Sequence, residues 1–170
     1  MKLVNDDPEG TCNFLKKDIV HPQVADQHGV DWVFFMDALN FSFWNFSTGD
    51  HKQYLVTYEG VTYTGYLAFL AATCRTLDSG VPITTPSFYG NITKEDLNTH
   101  LLGDNGVECP LIEERVECLH QISRVLEQKF GNTFVNCIKC CESLTDEKAQ
   151  NLLNLVYNEF KHTRGKQCKI

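Results

Sequence analysis

Along the chain the apolar positions recur mostly at helical spacing. The densest run covers 30–39, where apolar residues fall on nearly every side of a helix, interrupted by Asp31 and Asp37; this predicts a central helix. The stretch YLVTYEGVTYTGY (54–66) changes period. Its β-branched and aromatic residues alternate around Glu59-Gly60, the pattern of a small β-hairpin. Helical spacing returns over about 66–77, rich in Ala and Leu, until Gly80 and Pro82 stop it. Thr93 with Asp96 three residues on reads as an N-cap opening a short helix to about Leu102, and GDNG (103–106) as a turn. Pro110 suits the first position of a long helix, in which Ile112, Val116, Leu119, Ile122, Leu126 and Phe130 recur until Gly131 ends it. A last helix is expected after Thr145, with Asp146 and Glu147 where the helix dipole favours acids. Ala149, Leu152, Leu153, Val156 and Phe160 form its apolar face. No repeat, low-complexity segment or linker interrupts this pattern. The expected fold class is mainly α, a single domain over 1–170 carrying one small β-hairpin.

The totals narrow the function classes. A length of 170 residues fits one substantial core. The most apolar run is too short to span a bilayer, and the acidic start MKLVNDDPEG has no apolar segment of the kind a secretory signal needs. The expectation is a soluble, cytoplasmic protein with no membrane partner. The sequon-like triplets at Asn40, Asn45 and Asn91 then count as chance matches, and the eight cysteines as reduced thiols. Cys137 and Cys140 form a CxxC, but zinc needs about four ligands, and no second CxxC or paired histidines stand at ligand spacing. No metal and no cofactor are expected, and the thiols read as small packing groups. A net charge of −7, with no Lys/Arg cluster before the tail at 161–169, argues against long nucleic acid as a partner.

Glycine-rich phosphate loops, a GxSxG elbow and HExxH are all absent. The acid/base groups Asp31, Asp37, Glu113, Glu114 and His120 show no arrangement that directs them to one reaction. The stretch DALNFSFWNF (37–46) is the exception in character. On a helix, Asp37 and Asn40 share a face with each other, and approximately with Trp44 if the helix continues. A carboxylate, an amide and an indole together suit a flat heterocycle, stacked on its rings and hydrogen-bonded at its edges. The alternative is that Asp37 or Asn40 caps a helix end. Arg115, in the first turn of the long helix, opposes the dipole there and fits a bound carboxylate or anion. Arg75, inside an apolar helix, is expected in a buried salt bridge.

Four stretches carry a family resemblance: VDWVFFMDALNFSFW (30–44), YEGVTYTGYLAF (58–69), RTLDSGVPITTPSFY (75–89) and PLIEERVECLHQISRVLEQKFGNTFVNCI (110–138). In order and spacing, from about residue 12 to residue 160, they are similar to the queuosine salvage family, whose members are queuosine 5′-phosphate N-glycosylases. The resemblance implies a helical fold similar to helix-hairpin-helix DNA glycosylases. It implies hydrolysis of the N-glycosidic bond of queuosine 5′-monophosphate, releasing queuine for tRNA, with a small-molecule nucleotide or queuine as partner. Asp37, Asn40, Phe43 and Trp44 become expected neighbours of the base, with Arg115 as a further substrate-binding residue. The family's catalytic aspartate sits in a segment resembling DYRxPQ, which has no counterpart here, so no catalytic residue is assigned. Leu67 stands where a tryptophan is usual, Cys74 where an asparagine is, and Asp18 where a pocket histidine is common. After Phe160 the tail KHTRGKQCKI (161–170) diverges from the family pattern. These departures suggest the N-terminal half of a longer domain, with little or no activity alone. The rival expectation is a non-catalytic binding or interaction protein that self-associates through exposed apolar faces.

Overall fold

The computed structural model describes residues 27–43, 53–142 and 148–160. Among them the chain is mainly helical, with one two-stranded antiparallel sheet. In chain order the elements are α1 (Gln27–Ala38), β1 (Leu55–Tyr58), β2 (Val61–Thr64), α2 (Gly65–Asp78), α3 (Pro86–Tyr89), α4 (Lys94–Leu101), α5 (Ile112–Phe130), α6 (Phe134–Glu142) and α7 (Lys148–Phe160). They divide into two compact units, each described by itself.

The first unit contains described residues 40–43, 53–83 and 93–113. Strands β1 and β2 pair from Leu55↔Thr64 to Tyr58↔Val61, which leaves Glu59 and Gly60 as a two-residue loop. Both have positive φ (48° and 78°), the type I′ geometry whose twist matches the strands. The hairpin packs on α2, and α2 packs in turn on α4. Residues 67–74 of α2 are buried without a break, and the alanines in that run let neighbours approach closely. Helix α4 opens with a capping box: the Asp96 N–H donates to Thr93 Oγ1 at 3.1 Å, and the Asp96 carboxylate accepts from the Thr93 N–H. Tyr54 donates its hydroxyl to the carbonyl of Leu101 at 2.5 Å, tying the hairpin's approach to the end of α4.

Asp104 joins three parts of this unit. Its carboxylate accepts from the Thr57 N–H and from Arg75 Nη1, each at 2.7 Å, while its own N–H donates to Leu55 at 2.8 Å. Arg75 therefore does form an ion pair, but not a buried one: the two side chains are 38% and 39% exposed. Arg75 also donates to the carbonyl of Leu102, which holds it along the edge of the turn.

The second unit contains residues 27–39, 84–92, 114–142 and 148–160 of the described chain. Trp32, Phe35, Met36 and Leu39 of α1 are buried, as are Leu119, Ile122 and Leu126 of α5. Helix α6 packs against both α1 and α7. Phe34 stacks on Phe134 with ring centroids 4.1 Å apart, and Phe160 meets Phe34 edge-on at 5.3 Å.

Four elements depart from the pattern read in the sequence. Helix α5 begins at Ile112 rather than Pro110, because Leu111 has a φ of 54° that no right-handed helix can include. Helices α3 and α6 were not expected. Leu153, assigned to the buried face of α7, is 61% exposed. Among the described residues no helix is long and apolar enough to cross a membrane. The expected start of the last helix at 145–147 and the tail at 161–170 lie outside the described residues.

Candidate functional site

The last carbonyls of any helix lack partners within it. At the end of α1, Arg115 Nη1 donates to the carbonyl of Leu39, and Cys118 Sγ lies 3.6 Å from the carbonyl of Ala38. Arg115 has no exposed surface, and its charge lies at the helix end that favours cations. These contacts terminate α1 at Ala38, so the helix does not continue toward residue 44. Asp37 and Asn40 therefore do not share a helical face, since Asn40 lies beyond the helix. Ser42 then takes a φ of 46°, a turn incompatible with further helix.

Asp37 and Asn40 are both exposed, and among the described residues neither side chain has a hydrogen-bond or ion-pair partner. Neither acts as a cap. An acid in the last turn of a helix is disfavoured by the dipole, by about 0.3–1 kcal/mol. One turn earlier on the same face stands Val33, 39% exposed, so an apolar side chain adjoins the carboxylate. Asp37 and Arg115 belong to the second unit, Asn40 and Phe43 to the first. Trp44 lies outside the described residues.

Phe43 is half-buried in the first unit. Its ring meets Tyr66 edge-on at 5.7 Å and lies 5.5 Å from Phe69. Phe69 is fully buried whereas Tyr66 and Phe43 are not, so the cluster runs from the core of the unit to its surface.

Asp31 is the residue whose role the sequence reading missed. It is buried on α1, and its Oδ1 accepts from the Phe134 N–H at 2.7 Å and from Thr133 Oγ1 at 3.1 Å. It caps α6 from a distant helix. Burial pushes its carboxyl above the usual range, and the two hydrogen bonds and His28 only partly offset this. The available signal was an acid inside an apolar run, which needs a partner to be buried. His120 places Nε2 2.8 Å from the carbonyl of Ile92, so that nitrogen carries the proton. Glu113 is held below its ordinary value by Lys94 at 2.6 Å, and Glu114 is exposed. Among the described residues no group of three His, Cys, Asp or Glu side chains is placed to hold a metal ion.

Residues 20–168 match the family model described as queuosine salvage protein. The chain belongs to the queuosine salvage protein family. Relatives named queuosine 5′-phosphate N-glycosylase/hydrolase are similar to it over most of its length. The Bos taurus protein is 41% identical over 145 residues, which are 85% of this chain and 41% of that protein. The Mus musculus protein is 37% identical with the same coverage. The Schizosaccharomyces pombe protein is 33% identical over 163 residues, 88% of this chain and 46% of its own length. The chain thus spans less than half the length of these queuosine salvage relatives. The matched region contains Asp31, Asp37, Asn40, Phe43, Trp44 and Arg115.

Proposed function

We propose that this chain serves the hydrolysis of the N-glycosidic bond of queuosine 5′-phosphate and that it supplies part of the surface that reads the base. The observation carrying this reading is Asp37. It is exposed and, among the described residues, without a hydrogen-bond or ion-pair partner, within a region matching a family whose relatives are named for that hydrolysis. Asp37 offers a hydrogen bond to the edge of the heterocycle; Asn40, Phe43 and Trp44 enter the reading as residues that the family resemblance associates with the base. Arg115 has no surface to offer a ligand; its part is to hold the end of α1.

In the reaction the C1′–N bond breaks with its electron pair going to the base, which takes up a proton. Water adds at C1′ and loses a proton, giving free queuine and ribose 5-phosphate. Positive charge develops on the ribose, and a carboxylate aimed at it supplies a large electrostatic stabilisation. That carboxylate belongs to the DYRxPQ-like segment of the family pattern, so no residue of these 170 is assigned to it. The family domain, of which this chain forms an N-terminal portion, would have a fold similar to helix-hairpin-helix DNA glycosylases. An acidic chain suits a free nucleotide better than long nucleic acid. We take the cytoplasm as the setting of this activity, a reading supported by a charged nucleotide's inability to leave a cell unaided.

The test is titration of the chain with queuine and with queuosine 5′-monophosphate by calorimetry, with free queuine followed by chromatography. Saturable binding is expected, weakened about tenfold or more in Asp37→Ala. No saturable binding up to millimolar ligand overturns the reading. Queuine release that disappears in Asp37→Ala would overturn the division of roles and make Asp37 the catalytic acid.

A further inference from the structure

Of all the asparagines in this chain, only Asn105 is followed by glycine. That pair is prone to deamidation, because glycine has no side chain to shield its nitrogen. The Gly106 nitrogen, on losing its proton, attacks the Asn105 side-chain carbonyl carbon and expels ammonia. Water then opens the cyclic imide at either carbonyl. The product is aspartate, or isoaspartate, in which the main chain runs through the side-chain carboxyl.

The structure opposes the attack at three atoms. In the turn at 103–106, part of the first unit, the Gly106 N–H donates to the carbonyl of Gly103 at 2.9 Å, so the proton that has to leave is engaged. Asn105 Nδ2, the leaving group, donates to the carbonyl of Gln53 at 2.7 Å, and Oδ1 accepts from the Val107 N–H at 3.4 Å. The turn itself is held by the Gly103 N–H on the carbonyl of Val107 at 3.0 Å and by the bonds of Asp104 to Leu55, Thr57 and Arg75. Asn105 and Gly106 are nevertheless exposed, so water reaches them whenever the turn opens.

We propose that Asn105 is a modification site guarded by the fold: it deamidates only when the 103–106 turn opens, and its products keep the turn from closing again. A carboxylate at 105 has no proton to donate to Gln53 and sets an oxygen against that carbonyl. It also places a second negative charge beside Asp104. Isoaspartate lengthens the backbone of a turn that has no slack: a Cβ at Gly103 would lie 2.9 Å from the carbonyl oxygen of Val107 and 3.0 Å from that of Leu55. Either product therefore loosens the segment that ties the end of α4 to the hairpin. The change runs one way, because the ammonia is lost to solvent.

Peptide mass mapping of the full chain tests this after incubation at neutral pH, folded and in urea. Asn105 in the folded chain is expected to deamidate more slowly than in urea by about tenfold or more. The slowing should match the hydrogen-exchange protection of the Gly106 amide within about threefold, since both report the same opening. In Asn105→Asp, which carries the aspartate product from the start, the amides of Gly103 and Asp104 should exchange about tenfold faster than in the wild type. Equal rates folded and in urea, or a slowing unrelated to the Gly106 protection, overturn the guarded site. Unchanged exchange at Gly103 and Asp104 in Asn105→Asp overturns the loosening of the turn.

Discussion

Arg115, with no solvent-exposed surface, donates a hydrogen bond from Nη1 to the carbonyl of Leu39, the residue that follows α1. The guanidinium does for the end of this helix what a C-terminal cap does elsewhere, and adds a charge of the favoured sign. Replacing it with methionine keeps the volume but strands a buried carbonyl. Arg115→Met is expected to lose about 2–4 kcal/mol in urea unfolding. Arg115→Lys, which keeps the charge but not the fork of donors, should fall between. A loss below about 0.5 kcal/mol for the methionine variant would mean that Arg115 does not hold α1.

Asp31 should make the second unit more stable toward acid. Its folded carboxyl is raised by burial, so the folded state holds the proton more tightly than the unfolded chain does. Its contribution is therefore full below the ordinary aspartate value of about 3.9 and is lost as pH rises through the folded value. Asp31→Asn keeps an acceptor for Thr133 and Phe134 but removes the titration. Unfolding free energies measured between about pH 3 and pH 7 should show the wild type gaining on Asp31→Asn as pH falls. Asp31→Ala should cost about 1–3 kcal/mol across that range, because α6 loses its cap.

Asp104 should behave in the opposite sense. Burial pushes its carboxyl up, but the hydrogen bonds from Arg75 and Thr57 outweigh it and hold the group below the ordinary value. That stability is present above about pH 3.9 and is lost as pH falls through the folded value. Asp104→Asn should therefore flatten the acid limb of the stability profile. The pair is more than a third exposed, so the effect should stay within about 1 kcal/mol at neutral pH and shrink with salt. An acid limb unchanged in Asp104→Asn would remove this aspartate from the account.

Local chemistry was legible in the sequence and long-range pairing was not. The Glu59-Gly60 loop and the Thr93 cap depend on residues within a few positions, and both appear where the sequence placed them. Helix α6 escaped notice because thiols occupy its buried positions: Cys137 and Cys141 stand one turn apart, where a helical pattern is usually read from leucines. Pro110 suits a helix start, but nothing local to it signals that Leu111 adopts a positive φ. At the candidate site, the character of Asp37 and Asn40 was readable while the end of α1 was not. Arg115 meets Leu39 across 76 positions, and Asp31 meets Thr133 across 102. No periodicity reports a contact of that range.

The thiols provide a check on the burial of both units. Burial pushes Cys74 and Cys118 up to about 11 and Cys137 to about 12, with like charges nearby adding to the rise at Cys74 and Cys137. At pH 7.5 fewer than about one in a thousand of each is thiolate, the form that reacts. Cys140 is exposed on α6. Iodoacetamide followed by peptide mass mapping should mark Cys140 early, with the other three reacting only as fast as the protein unfolds, and all four together in urea. The same raised values give the sign at alkaline pH. These thiols contribute stability in full below about pH 8.5, and it is lost as pH rises through 11 to 12. Native labelling of Cys137 as fast as Cys140 would show that the packing of α6 against α1 opens freely.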